Sequence, residues 1–197
     1  MAGINRAQNK HLVQKSNGYD TENYFEATAS AKEQKPCIFL SHISIDKESA
    51  VEIGNYITRS DIDIYLDIYD EGLQRAVASQ DAKKITQFIQ EGINRSTHLL
   101  CLISNDTKNS WWVPYELGYG KCASKEVASL SLKEVDYLPE YLSSEKILQG
   151  TASLNRYLKL IVMNHNSTAR AKDFICEATV KNDLANHPLD SILKWRD

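Results

Sequence analysis

Thr97-His98-Leu99-Leu100-Cys101-Leu102-Ile103 is apolar almost throughout, and Ser110-Trp111-Trp112-Val113-Pro114-Tyr115-Glu116-Leu117-Gly118 follows it closely. The first stretch reads as a central parallel strand covered on both faces. The second reads as a helix start, where Pro114 is tolerated because it falls near the first turn. Trp112 and Glu116 stand one helical turn apart, so their side chains share a face. In an open parallel sheet, ligands bind outside the carboxyl ends of the strands. A helix entering from such an end with an aromatic plate and an acid suits a nucleotide that is stacked and then attacked.

Working outward, Cys37-Ile38-Phe39-Leu40 is a short apolar run consistent with a buried strand. From Asp46 to Arg59, Ala50, Ile53, Gly54 and Ile57 form the stripe of an amphipathic helix. Ile62-Asp63-Ile64-Tyr65-Leu66-Asp67 alternates as a strand does, and the polar stretch after it, Ile68 to Gln80, reads as a long loop. Ile85, Phe88, Ile89, Gly92 and Ile93 mark a second helix, and Asn109 to Ser124 a third. Val127–Leu132 and Lys146–Leu148 complete the strands, and Leu154, Tyr157, Leu158 and Ile161 stripe a last helix. This alternation of strand and helix predicts an α/β doubly wound sheet of four or five parallel strands with Thr97–Ile103 central. Three regions result: a polar N-terminal extension over 1–34, the domain over 35–163, and a C-terminal extension over 164–197. The last is read as packed on the domain, with a short helix through Lys172 to Val180.

The 197 residues give one domain room for a sizeable core. A net charge of -3 with pI near 6.0 supplies no basic face for nucleic acid. No apolar run is long enough to span a membrane, and the first thirty or so residues lack the apolar core of a signal peptide. A cytoplasmic protein is the expectation. Among the four cysteines, Cys37 and Cys101 sit in apolar runs as buried thiols, whereas Cys122 and Cys176 are isolated. The five histidines form no ligand pair, so no metal site is expected.

Phe39-Leu40-Ser41-His42 ending the first strand, Leu66-Asp67 ending the second, and Ser110-x-Trp112-Val113-x-x-Glu116-Leu117 opening the third helix stand in telling order. With Leu138-Pro139 after the fourth strand, the chain resembles a Toll/interleukin-1 receptor (TIR) domain over about residues 36–163. The resemblance implies a flavodoxin-like sheet in the order 2-1-3-4-5. It also implies, for many members, cleavage of NAD+ at the nicotinamide–ribose bond by the glutamate of the third helix, here Glu116. The chain further resembles stand-alone bacterial TIR proteins such as those of the Thoeris anti-phage system. That implies an ADP-ribose or cyclic ADP-ribose product read by a separate effector, with NAD+ as substrate and no other cofactor. Ile68–Gln80 occupies the position of the family's BB loop without its usual glycine-rich sequence. A long loop there is suited to reach a neighbouring protomer in a homo-oligomer formed on activation.

One carboxylate suffices for this chemistry. Glycoside hydrolases use two because a sugar leaving group must be protonated. Nicotinamide already carries positive charge on its ring nitrogen and leaves neutral, so one ionised glutamate can stabilise the developing charge on the ribose. Proximity to a helix N-terminus is expected to favour the ionised form of Glu116. Trp112 is read equally as a structural tryptophan or as a wall of the nicotinamide pocket, and Trp111 as a core or interface residue. Ser41, His42 and Ser44 follow the first strand, where ribose or phosphate contacts are made in this architecture, or else shape a turn. Asp67 lines the site or caps a turn. Gly118-Tyr119-Gly120 lies inside a helix and lacks phosphate-loop spacing. The alternatives to an NAD+-consuming enzyme are a non-catalytic TIR module acting by self-association and, more distantly, a nucleoside-processing enzyme of the deoxyribosyltransferase type.

Overall fold

Five strands run parallel: β1 (Cys37–Ser41), β2 (Asp63–Tyr65), β3 (His98–Ile103), β4 (Glu126–Ser131) and β5 (Lys146–Leu148). They lie in the order β2-β1-β3-β4-β5, which places β3 at the centre and matches the order the sequence predicts. The computed structural model describes residues 2–8, 35–136, 138–142, 145–166 and 187–194. The helix read over Lys172 to Val180 lies outside the described residues.

Side-chain parity along the strands divides the interior in two. Ile38, Leu40, Leu100, Leu102 and Leu130 point to one face and are covered by α1 (Lys47–Thr58), through Ile53 and Ile57, and by α5 (Thr151–Asn166), through Leu154, Leu158 and Ile161. Cys37, Phe39, Tyr65, Leu99, Cys101 and Ile103 point to the other face. That face is covered by α2 (Glu71–Ala78), α3 (Ala82–Asn94) and α4 (Trp112–Cys122), through Leu73, Ile89, Ile93, Val113 and Leu117. β1 and β3 are fully buried apart from the half-buried His98, as strands covered on both sides must be. The chain leaves β1 toward β2 on one side and resumes at β3 on the other. The crevice for a ligand therefore opens at the carboxyl ends of β1 and β3.

The structure corrects the reading of Ile68–Gln80 as a long loop. Asp67–Tyr69 is one turn of 3-10 helix, and Glu71–Ala78 is the helix α2. Asp70 starts it by accepting from the backbone N–H groups of Gly72 at 3.0 Å and Leu73 at 3.3 Å, an N-cap within an otherwise polar run. The Tyr65 hydroxyl donates to the same Asp70 carboxylate, which ties the cap to β2. Leu73 and Ala76, one turn apart, are buried against the sheet side of the helix. Two apolar anchors are too few to stand out as a period in the sequence. The segment packs back on α3 and is not an extended arm reaching toward a neighbour.

Both extensions contribute to the fold. Residues 2–8 lie along β2, with Ile64 N–H donating to Ile4 O at 2.9 Å and Arg6 N–H donating to Ile64 O at 2.8 Å. The Arg6 guanidinium then bonds Asp63 at 3.0 Å and the carbonyls of Arg95 and Lys35 at 2.9 and 2.8 Å. At the other end Gly150 bridges Lys194, and Leu189 and Leu193 enter the core beside α5.

Gly92 sits where α3 crosses the stacked rings of Phe39 and Tyr65. A methyl group there would lie 2.5 Å from Tyr65 Cε1, and Tyr65 cannot swing away without breaking its bond to Asp70. Gly92→Ala is expected to destabilise the fold by about 1–3 kcal/mol through overpacking, checked by urea unfolding of the variant beside wild type.

Candidate active site

A cavity of about 740 Å³ opens at the carboxyl ends of β1 and β3. His42, Ser44, Asp67, Trp112 and Glu116 all line it, so the structure brings together five of the six residues singled out from the sequence. The sixth, Ser41, is buried and does not reach the cavity wall; its hydroxyl donates to Glu116 Oε2 at 2.5 Å from behind.

The position of Glu116 follows from how α4 begins. Ser110 Oγ accepts from the N–H of Val113 at 3.2 Å, and Pro114 falls in the first turn, where an N–H has no helical partner in any case. Val113 and Leu117 are buried under the helix, which turns Trp112 and Glu116 together toward the cavity. Trp112 is 40% exposed and meets Tyr115 edge-on at 5.9 Å, while Tyr115 stacks in turn on Tyr119. Gln90 and Asn94 of α3 donate to the hydroxyls of Tyr115 and Tyr119, which fixes this outer aromatic row. Trp112 is thus a partly open cavity wall.

Of the two readings of Trp111, core and interface, the structure excludes the core, since the side chain is 90% exposed at the cavity mouth. Ile45 and Val77 stand exposed at the same rim. Lys47, Gln74, Asp106 and Asn109 also line the cavity and were not singled out from the sequence. Asp106 and Asn109 follow the carboxyl end of β3, so the rule that pointed to Ser41 and His42 after β1 could have found them.

The electrostatics depart from expectation. Glu116 sits in the second turn of α4, beyond the reach of the helix terminus, and is only 4% exposed. Burial, reinforced by the nearby Asp67 and only partly opposed by the Ser41 hydrogen bond, pushes its carboxyl group up to about 8. Desolvation outweighs the helix dipole here. Burial also raises Asp67, against the pull of His42. Asp67 Oδ1 is shielded from solvent and has no hydrogen-bond partner among the described residues; His42 Nδ1 lies 3.7 Å from it and 3.2 Å from Leu40 O. The Cys101 thiol, on β3 beside Ser41, is pushed up to about 12 by burial and is no nucleophile at neutral pH. Among the described residues, no group of three or more His, Cys, Asp or Glu side chains is placed to hold a metal ion.

Residues 39–136 match the family of the Thoeris protein ThsB, TIR-like domain. The domain over these residues is a TIR-like domain of that family. The TIR match runs from β1 through β4 and so contains every cavity residue named above. A protein of Bacillus cereus (strain MSX-D12), named a probable 3' cyclic ADP-D-ribose synthase ThsB', is 28% identical to this TIR protein over 142 residues. The alignment covers 72% of this chain and 66% of that relative, so the chain spans just under two thirds of the relative's length.

The raised proton affinity of Glu116 has a thermodynamic sign. Between its ordinary value of 4.5 and about 8, the folded state holds a proton that the unfolded state has lost, so this group's contribution to stability declines as pH rises across that window. Glu116→Gln removes the ionisable group and keeps the shape. Its melting temperature relative to wild type is therefore expected to climb from about pH 4.5 to about pH 8 and level off above, as read by paired thermal scans.

Proposed function

We propose that this TIR protein cleaves NAD+ at the nicotinamide–ribose bond, releasing nicotinamide and an ADP-ribose or cyclic ADP-ribose signal in anti-phage defence. The observation that carries the reading is Glu116, buried in the wall of a cavity at the carboxyl ends of β1 and β3, with Trp112 one turn before it on the same wall. The family match and the name of the Bacillus cereus relative support it.

In this reading the pyridinium ring lies against Trp112, an aromatic face suited to a cation. Glu116, as a carboxylate, stabilises the positive charge that grows on the ribose as the C–N bond lengthens. Nicotinamide leaves neutral, so no general acid is required. His42, Ser44 and Lys47 stand on the cavity wall after β1 to take the ribose hydroxyls and the diphosphate, and Asp67 lines the site after β2. NAD+ is substrate, and the reaction needs no further cofactor. The product acts through a separate effector in the cytoplasm. No helix among the described residues is long and apolar enough to cross a membrane.

The exposed Trp111, Ile45 and Val77 at the mouth favour a homo-oligomer formed on activation, with the rim as the contact. The same rim would serve a non-catalytic self-associating module, and enzyme assays separate the two. Nicotinamide release from NAD+, followed by chromatography at rising protein concentration, is expected for wild type and to fall by ~10²–10³ in Glu116→Gln. Equal activity in both proteins overturns the assignment of Glu116. Inactivity of both at every concentration favours the non-catalytic module.

A further inference from the structure

The two oxygens of Glu116 face different surroundings. Oε2 is committed to the Ser41 hydroxyl at 2.5 Å, on the side away from the cavity. Both residues are buried, so neither solvent nor a ligand can replace Ser41 in that contact. The anchored oxygen leaves Oε1 as the one that can meet a ligand.

The charges around this carboxyl group are unbalanced. From the turn after β2 comes Asp67, a second carboxylate on the same cavity. From β3 comes Cys101, a thiol that burial keeps uncharged, and beyond it Glu145, which is paired with Lys121. From the turn after β1 comes His42, whose Nδ1 is turned to Leu40 O and Asp67 and not to Glu116. α3 offers the α4 aromatic row only the neutral amides Gln90 and Asn94. Lys47 and Asp106 of the cavity wall carry opposite signs. No cation bonds Glu116 among the described residues, and two carboxylates that share a poorly solvated site do not both ionise readily. The missing partner is a positive charge, and the established chemistry of a pyridinium ring supplies one.

Resting on Glu116 as the acid of the site, we propose that it is a neutral acid in the ligand-free protein and ionises when a cationic pyridinium ring enters, with Ser41 the positioning residue that presents Oε1 to the ring. The O–H bond of Glu116 breaks, the proton passes to solvent, and the carboxylate is balanced by the ring. Nothing is oxidised or reduced. The site thereby distinguishes an oxidised, cationic nicotinamide from a reduced, neutral dihydronicotinamide of nearly the same shape, because only the former makes the ionised state favourable. Ser41 acts through Glu116: its O–H donates to the carboxylate and eases ionisation, whereas Asp67 opposes it.

Infrared titration of the full-length protein reads the proton directly. The protonated-carboxyl band of Glu116, identified by its absence in Glu116→Gln, is expected at pH 7 and is expected to vanish on addition of N1-methylnicotinamide, with release of about one proton per protein into weak buffer. Neutral nicotinamide is expected to leave the band in place. A band absent from the ligand-free protein at pH 7, or one that persists at every concentration of the cation, overturns the proposal. Ser41→Ala is expected to move the band's titration, and the acid limb of kcat/KM for NAD+, upward by on the order of one pH unit. Ser41→Thr is expected to restore both, and Asp67→Asn to move them down. Unmoved titrations in folded Ser41→Ala and Asp67→Asn overturn the assigned roles. Band loss without NAD+ turnover would leave this inference standing and sink the catalytic reading; turnover without band loss would do the reverse.

Discussion

Parallel pairing of β1 with β3 requires both strands to be covered on both faces, because their inward and outward side chains are alike apolar. Ile38 and Leu40 need α1 and α5 above them, while Cys37 and Phe39 need α3 and its neighbours below. A parallel connection must also cross over the sheet, so each covering helix is a link in the chain. Once the crossovers from β1 take opposite sides, the loops after β1 and β3 part from each other, and the gap between them is the cavity. Ser41 and Cys101, opposite one another in the register, end the buried part of this pair. The polar contact to Glu116 begins where the apolar ladder stops.

The architecture was legible because it rests on long, pure patterns. Residues 97–103 admit no other placement than the middle of a sheet, and the stripes of α1, α3 and α5 are three or four apolar residues deep. α2 was not legible. Its stability comes from a cap, Asp70, and from two buried residues, and Asp70 is itself oriented by a tyrosine on another element. Residues 2–8 escaped for a related reason: backbone groups of β2 recruit them, and backbone hydrogen bonds leave no mark in composition or period.

The site divides in the same way. His42, Ser44, Asp67, Trp112 and Glu116 could be placed because strand ends and helix turns fix direction, and direction is what a residue number encodes. Depth is not encoded. Ser41 and His42 are neighbours in sequence, yet one supports the acid from behind and the other lines the cavity. The charge state of Glu116 depends on that depth, and the helix terminus that should have favoured its ionised form is screened out by one turn of distance. A carboxylate in this setting draws its charge from its ligand, not from its own helix.

The Arg6 contacts have a consequence for how copies of this chain can meet. β2 is the outer strand on its side of the sheet, and an outer strand with free N–H and C=O groups invites another chain to extend the ladder. Residues 4–6 occupy those groups, and the guanidinium of Arg6 locks them down on Asp63 and on two carbonyls from separate segments. Growth of the sheet from one molecule into the next is closed at that edge. On the β2 side, an assembly of this protein must therefore be built from side-chain surfaces, whose shape and charge can be selected residue by residue, and not from the backbone ladder, which accepts nearly any strand.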